Sequence, residues 1–465
     1  MNRRMATLVL TDEVRHQLAD LAADPVERAA VLLIGTAAKG STLRVLAREL
    51  WEPPAETYAS RSHDGLELTS TGWAPALQRA ETLGAAAMFV HNHPGGTPLP
   101  SPHDRVVDDK LGEPFRIRSG REVYGSIVVS PTEGPAGFSL TGHVTVGDVH
   151  ASISRIVVAG GRLVLDGAFD HNTEDDVPAL YSRQVQAFGG DVQRVLGQLR
   201  IGVAGAGGTG SAVLEQLVRL GVRHIYLADP DALSESNVTR VYGSCPADVG
   251  RLKVEIQVDH LSRLADDLDI RVSPGKTTDR AVVEELTSCD LVFGCTDDEG
   301  GRVMLSRLAA HYLVPLIDCG VLLSSTNGLL EGIDTRVTSQ FPGAACLLCR
   351  NRVDLERASA EMLDEDELAA RQKEGYAPEL AGIEPAVISF TSLTAALAVA
   401  ELLERLIGYG VTPAPTELIA RIHDRELSIN TRAPRDGHYC HPSAGVLGTG
   451  DQEPFLAWTW KDTPS

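Results

Sequence analysis

His91 and His93 flank a single residue in the stretch HNHPGGTPLPSPHD, and Ser101 and Asp104 close it. Side chains two apart on a strand leave the same face, so both imidazoles can reach one ion. A proline and glycine turn then reverses the chain. SPHD reads as a helix start, with Ser101 at the N-cap, Pro102 at the first position and Asp104 in the first turn. Asp104 is thereby carried back towards the histidines. Two histidines and one aspartate are three protein ligands and leave a position for water, the open arrangement of a catalytic zinc site. Zinc lowers the pKa of that water towards neutrality, and a nearby carboxylate must still take its proton during attack. Each fragment alone has an ordinary reading, a polar loop for HNHP and a dipole-favoured helix start for SPHD. The two together at this spacing are harder to read that way.

A second set lies about a hundred residues further on. In GVAGAGGTGS, Gly205, Gly207 and Gly210 form GxGxxG, with Gly208 completing a doublet, between the strand-like LRIGV and the helix-like SAVLEQLVRLG. Glycines let the backbone approach phosphates, and the helix N-terminus attracts their charge. Asp229 closes the next strand, where a ribose-binding carboxylate belongs. Taken this far, a nicotinamide-dependent oxidoreductase is the default reading. The chain then continues DPDALSESNVTRVYGSCPADVGRLKVE, in which Asn237, Arg240 and Lys253 add polar and cationic groups. These suit a triphosphate, whose charge needs neutralising during transfer, and nicotinamide chemistry has no use for them.

Seven cysteines in 465 residues do not make a disulfide framework, so Cys346 and Cys349, spaced as CxxC, read as metal ligands. The competing reading is apolar packing with inert thiols. Cys289, Cys295 and Cys319 fall at strand positions that favour burial. Cys245, in the loop between Arg240 and Lys253, is the candidate if a reactive thiol is needed.

The elements that position these residues change character along the chain. Short β-type runs (ATLVLT, AAVLLIG, AAAMFVH, YGSIVVS) mix with helical pattern (DEVRHQLADLAAD, APALQRAETLGA) up to about Gly147, which predicts a compact α+β or α/β domain. SRIVVAGGRLVLDGA predicts a Gly-Gly hairpin, and the acidic HNTEDDVPA a linker, placing a boundary near residue 175. From there strands and helices alternate, which predicts right-handed βαβ units and a parallel, doubly wound sheet. LERASAEMLDEDELAARQKE predicts a charged helical insertion.

Composition bounds the partners. With 43% hydrophobic residues the chain can build proper cores, and its length suggests about three domains. The net charge of −21 argues against nucleic acid and anionic membrane surfaces. No apolar run of signal-peptide length precedes Asp12, and PAVISFTSLTAALAVA falls short of the roughly 20 residues a membrane span needs. A cytoplasmic protein is the expectation.

His91-x-His93-Pro94 with Ser101-x-x-Asp104 beyond it resembles the JAB/MPN (JAMM) metalloprotease signature, and PVERAAVLLIG matches that family's upstream glutamate with Glu27. The resemblance implies that Glu27 is the general base, that His91, His93 and Asp104 hold Zn²⁺, and that the Ser101 hydroxyl stabilises the tetrahedral oxyanion. The implied substrate is an amide or isopeptide bond after the C-terminal glycine of a ubiquitin-like protein. His63 and His103 have no place in the pattern and read as surface residues.

Most of residues 180–445 resembles the ThiF/MoeB and ubiquitin-activating-enzyme superfamily. Its parts appear in order: Arg183 in YSRQVQAFG, the glycine doublet, Asp229 and Asp231 in ADPD, Asn237 and Arg240 in SNVTR, Lys253 in GRLKVE, and Asp297 in GCTDDEGGR. The resemblance implies that Asp229 binds ribose, that Asn237, Arg240 and Lys253 hold the phosphates, and that Asp297 takes Mg²⁺. It also implies that Arg183 reaches the ATP of a neighbouring subunit in a homodimer. Individually, Arg183 also reads as a surface ion-pair residue and Asp297 as a helix cap. The implied reaction is attack of a C-terminal carboxylate on the α-phosphorus of ATP.

Two departures from that family stand out. Thioester-forming members carry a cysteine between the CxxC turn and the late apolar helix, and this interval has none. Members also commonly hold a structural zinc with two CxxC pairs, whereas the second half here is GHYCHPS with Cys440 alone. A Cys₃His site completed by His438 or His441 would close the tetrahedron, and alternation along an extended segment favours His438.

Together these readings predict an α/β chain. It has a JAB/MPN-like domain over 1–147, a hairpin and linker over 148–177, a Rossmann-like ThiF-type domain over 178–445 and a C-terminal tail over 446–465. The expected function is a bifunctional enzyme of a bacterial ubiquitin-like system, trimming or removing a glycine-tailed β-grasp protein and adenylating it. Delivery would end in conjugation, with a separate transfer enzyme, or in sulfur-carrier activation for cofactor or cysteine synthesis. An oxidoreductase or a non-catalytic scaffold for ubiquitin-like proteins are the readings from other classes.

Overall fold

The computed structural model describes residues 4–167, 177–327, 329–374, 378 and 385–460. The chain divides into two units, one of Met1–Asp170, His311–Leu313 and Gly445–Ser465, the other of His171–Ala310 and Val314–Ala444.

The first unit opens with β1 (Arg4–Leu10), α1 (Asp12–Ala23), β2 (Ala29–Lys39) and β3 (Thr42–Trp51). A small two-stranded hairpin comes next, β4 (Tyr58–Arg61) and β5 (Leu66–Leu68), then α2 (Ala74–Leu83), β6 (Ala86–Asn92) and α3 (Pro102–Ser119). The last strands are β7 (Val123–Pro131), β8 (Phe138–Val146), β9 (Val149–Ala159) and β10 (Leu163–Asp166). Their order is β1-β3-β2-β6-β7-β8-β9-β10, and β1 also pairs in parallel with β9, which closes the sheet into a barrel. Sequence periodicity predicts the strands but not this closure, which joins segments at opposite ends of the unit. The Gly-Gly hairpin forms as expected, β9 pairing antiparallel with β10, and through β1 it is built into this barrel. The segment read as a C-terminal tail also belongs to this unit: the Gly450 N–H bonds the His311 carbonyl at 2.8 Å, and the Tyr312 hydroxyl bonds Asp451 at 3.0 Å.

Alternation assigns the two faces. Ala30, Leu32 and Ile34 of β2 and Met88 and Val90 of β6 pack with Val14, Leu18 and Leu21 of α1. Their neighbours Ala29, Val31, Leu33, Ala87 and Phe89 pack with Leu77 and Ala80 of α2 and Leu111 and Phe115 of α3. His91 continues the second series and so faces the side that carries α3.

The second unit begins with α4 (Ser182–Phe188) and α5 (Gly190–Gln198), then alternates β11 (Arg200–Ala204), α6 (Gly208–Leu220), β12 (His224–Ala228), α7 (Lys253–Leu261), β13 (Asp269–Ser273), α8 (Arg280–Leu286), β14 (Leu291–Gly294) and α9 (Glu299–His311). It continues with β15 (Leu316–Thr326), β16 (Leu329–Gln340), α10 (Leu355–Glu361), α11 (Glu365–Lys373), α12 (Ile388–Ile407), β17 (Glu417–Arg421) and β18 (Glu426–Ile429). The charged insertion is thus two short helices, each started by an aspartate cap, Asp354 and Asp364.

The strand order β13-β12-β11-β14-β15-β16-β17-β18 corrects the expectation of a wholly parallel sheet. Strands β13 to β15 in that order are parallel, as βαβ crossovers require, whereas β15 to β18 form an antiparallel run. A tight connection joins β15 to β16, so no crossover helix intervenes and the pairing is antiparallel. The order reverses between β11 and β14, and ligands in such sheets bind beyond the carboxyl ends of the strands at that reversal. Among the described residues no helix is long and apolar enough to cross a membrane.

Candidate functional site

The first unit brings together the histidines and aspartate singled out in its sequence. β6 ends at Asn92 and His93 comes directly after it, its N–H donated to the Val129 carbonyl at 2.9 Å. The two Nε2 atoms lie 3.2 Å apart. α3, the crossover from β6 to β7, starts with a full capping box. Ser101 Oγ accepts from the Asp104 N–H at 3.2 Å, and Asp104 Oδ2 accepts from the Ser101 N–H at 2.6 Å. That box does not use up the carboxylate: Oδ1 is 3.4 Å from His91 Nε2 and Oδ2 is 3.3 Å from His93 Nε2. The residue that starts the helix is therefore also the one that faces both imidazoles.

One ligand atom from each of His91, His93 and Asp104 lies within 4.8 Å of the others. Burial pushes the Asp104 carboxyl up, but hydrogen bonds from His91 and Ser101 outweigh it and hold the group well below the usual carboxylate range. His91 Nδ1 is buried with no hydrogen-bond partner among the described residues. Two imidazoles and an ionised carboxylate facing one point suit a three-ligand zinc site with an open position. Glu27 sits in the loop between α1 and β2. Burial raises its pKa, and it feels His91 and His93, which lower it, and Asp104, which raises it. His63 and His103 are exposed, as expected.

In the second unit the glycine turn lies between β11 and α6, at the reversal of strand order. Gly205 has φ +100°, and a Cβ there would meet the Cys295 carbonyl oxygen at 2.5 Å. A Cβ on Gly210 would lie 1.9 Å from the Gly205 carbonyl oxygen, whereas one on Gly207 would meet nothing within 4 Å. Tight backbone on one side and open space on the other would suit a phosphate. Asp229 reaches into this turn, accepting from the Ala206 N–H at 2.6 Å and from the Asp231 N–H at 2.9 Å. Burial raises its pKa, and Lys253 opposes that shift. Each of its oxygens keeps a second lone pair for a ribose hydroxyl.

Two basic side chains approach this turn by different routes. Lys253, the first residue of α7, is buried, with Nζ 2.7 Å from Asp231 and 3.9 Å from Asp229. The stem of Arg240 packs on the turn, its Cδ 3.2 Å from where a Gly208 Cβ would be, and its Nη1 donates to the Ser236 carbonyl at 3.1 Å. Asn237 caps its own short turn, accepting from the Ser234 N–H at 3.4 Å. Asp297 is exposed just beyond β14, and the N-terminal bond of α9 falls to its neighbour: Asp298 accepts from the Gly301 N–H at 2.6 Å. Arg183 is exposed on α4, and among the described residues no hydrogen bond ties it to the turn. Sequence reasoning missed Thr391, at the start of α12, whose Oγ1 is 3.1 Å from the same Gly208 position. It lies in an apolar helix with no motif to mark it.

The remaining cluster is Cys346, Cys349, Cys440 and His438, with one donor atom each within 4.8 Å. His438 Nδ1 is 3.4 Å from Cys346 Sγ, 3.5 Å from Cys349 Sγ and 3.4 Å from Cys440 Sγ, while His441 is turned to Ser443 at 2.6 Å. The hydrogen bond with Cys440 brings the Cys346 thiol down to about 5, towards the thiolate a metal takes. This donor set suits tetrahedral zinc. Cys289 and Cys319 are buried, and Cys245 is exposed, bonded to Asp248 at 3.1 Å.

Residues 181–438, more than half of the chain, match the ThiF family. The chain belongs to the ThiF family. Within the ThiF-family segment lie the glycine turn, Asp229, Arg240, Lys253, Asp297, the CxxC turn and His438; the His91 cluster lies before it. Among curated relatives, the chain is 32% identical over 140 residues to the adenylyltransferase and sulfurtransferase UBA4 of Meyerozyma guilliermondii, covering 30% of this chain and 33% of that protein. It is 31% identical over 180 residues to the molybdopterin-synthase adenylyltransferase of Escherichia coli strain K12, covering 38% and 70%. It is 25% identical over 171 residues to the SAMP-activating enzyme E1 of Haloferax volcanii, covering 36% and 60%. The matched stretch thus spans a third of the first of these relatives and 60% of the last.

Proposed function

We propose that the second unit adenylates the C-terminal carboxylate of a small β-grasp carrier protein ending in glycine. The observation that carries this reading is that Lys253 faces Asp229, which holds the glycine turn, while the Arg240 stem packs on that turn. ATP is the substrate. A carboxylate oxygen of the carrier forms a bond to the α-phosphorus, the bond from that phosphorus to the bridging oxygen breaks, and pyrophosphate leaves. Asp229 orients the ribose, and Lys253, Arg240 and Asn237 neutralise and hold the phosphates. Asp297, left exposed because Asp298 takes the helix start, is the residue to hold Mg²⁺. Arg183, exposed on α4, completes the site of a second copy in a homodimer.

Sulfur-carrier activation is favoured over protein conjugation. The relatives' names include a sulfurtransferase and a molybdopterin-synthase adenylyltransferase, and residues 350–387 contain no cysteine to take a thioester. The test is intact-mass spectrometry of glycine-tailed carriers incubated with ATP, Mg²⁺ and hydroxylamine. A carrier hydroxamate that requires Lys253 supports the reading, and an unchanged carrier mass rejects it.

The His91, His93 and Asp104 cluster favours a second, hydrolytic activity in the first unit, of the JAB/MPN type, on the peptide or isopeptide bond after the same terminal glycine. Zinc held by these three residues would supply a water of lowered pKa. Glu27 takes the proton of the attacking water and returns it to the leaving amine, and the Ser101 hydroxyl donates to the developing oxyanion. Cleavage of a carrier extended beyond its glycine, lost on chelation and in Glu27→Gln, is the expected result; cleavage unaffected by both rejects it.

A further inference from the structure

Asn92 stands between the two histidines and is wholly buried, at 0% exposure. As the last residue of β6 it alternates away from His91, towards the face that carries α1. Its side-chain amide makes three hydrogen bonds, all to the loop between α1 and β2. Oδ1 accepts from the Arg28 N–H at 2.6 Å, and Nδ2 donates to the carbonyls of Asp24 and Val26 at 3.2 Å each. Its backbone N–H adds a fourth bond, to the Arg28 carbonyl at 3.2 Å.

Val26 and Arg28 are the neighbours of Glu27. One amide therefore grips the carbonyl before the base and the N–H after it, which restrains both backbone torsions of Glu27. The next strand residue, Ala29, pairs with His91 in the β2–β6 register, and the Glu27 N–H is donated to the Ser62 carbonyl at 2.7 Å. An Asp24–Arg28 ion pair at 3.0 Å closes the same loop on itself. The backbone is thus held on both sides of Glu27, while its carboxyl stays within electrostatic reach of His91, His93 and Asp104.

We infer that Asn92 is a positioning residue of the hydrolytic site, holding the Glu27 loop to the strand that bears His91 and His93. The inference rests on the zinc-hydrolase reading of the first unit. Asparagine is the shortest side chain that offers two donors and an acceptor on one plane, which this loop uses in full. Aspartate keeps the acceptor and loses both donors, and alanine loses all three. Because the residue lies between His91 and His93, it ties the base and the two histidines into one body, the kind of supporting contact that holds a site in its working geometry.

The test uses the full-length protein with Asn92→Ala and, to guard against misfolding, the near-isosteric Asn92→Asp, both checked by circular dichroism. The probe is ubiquitin extended past its terminal glycine by a short peptide, and three quantities are read. The expected result is a kcat lower by about 10- to 100-fold with KM unchanged, zinc content equal to the wild type, and faster amide exchange confined to residues 24–28. Unchanged kcat, or zinc lost in step with activity, overturns the positioning role while leaving the hydrolase reading in place. A wild-type protein that binds no zinc at His91 and His93 and cleaves nothing overturns that reading, and the positioning role with it.

Discussion

The ammonium of Lys253 lies 3.9 Å from the Asp229 carboxylate, and that carboxylate accepts the Ala206 N–H inside the glycine turn at 2.6 Å. The lysine is thereby linked through one side chain to the backbone that would cradle phosphate. Lys253→Ala is expected to lower carrier-dependent adenylation by about 10²-fold or more, since removing one preorganised charge contact costs that much. It also removes the cation facing a buried carboxylate, which keeps its bonds from the Ala206 and Asp231 N–H groups, so a denaturant melt should report a loss of about 1–3 kcal/mol.

Two glycines of the same turn should behave oppositely. Gly210→Ala places a Cβ 1.9 Å from the Gly205 carbonyl oxygen, which cannot be relieved without moving the turn, and should yield an unstable protein. Gly207 has φ −71° and open space at its Cβ position, so Gly207→Ala should melt with the wild type. If that space is where phosphates lie, it should nonetheless bind ATP more weakly by about tenfold, read by calorimetry.

The second unit should lose stability in acid through Glu417. Burial pushes its pKa up, but Arg352, Asn430 and Thr338 outweigh that and bring it down to about 2. A folded-state value below the unfolded one contributes stability that is complete above the ordinary carboxylate range. That contribution fades as pH falls from there through about 2. Unfolding free energy measured from pH 5 downwards should therefore decline, by on the order of 2–3 kcal/mol from this group. Glu417→Gln should flatten that part of the curve, starting from a lower plateau.

His438 and His441 can be separated by metal analysis. His438→Ala should cost one zinc per chain and lower the melting temperature by about 5 °C or more. His441→Ala, whose ring bonds Ser443 and no thiol, should retain the zinc.

The legible part of the sequence was local. Ser101 and Asp104 are three residues apart, and a helix start forces that spacing into one geometry; the strand histidines and the glycine turn are equally short-range. Long-range pairing was not legible. Nothing in β1 states that it pairs with β9 and closes a barrel, and nothing in β16 to β18 distinguishes an antiparallel run from the parallel strands before it. Adjacent identical residues also defeat spacing: Asp298 caps α9 and Asp297 does not, a choice made by the Gly301 N–H. Asn92 carries no sequence signal of its role because its partners lie more than sixty residues away in the chain.

The second unit is proposed to transfer AMP from ATP to a carboxylate with release of pyrophosphate, and exchange of labelled pyrophosphate into ATP measures that step alone. On this mechanism exchange appears only with a glycine-tailed carrier and Mg²⁺, persists in Glu27→Gln of the first unit, and is lost in Lys253→Ala. Tight nucleotide binding with no carrier-dependent exchange, or exchange indifferent to Lys253, would contradict it.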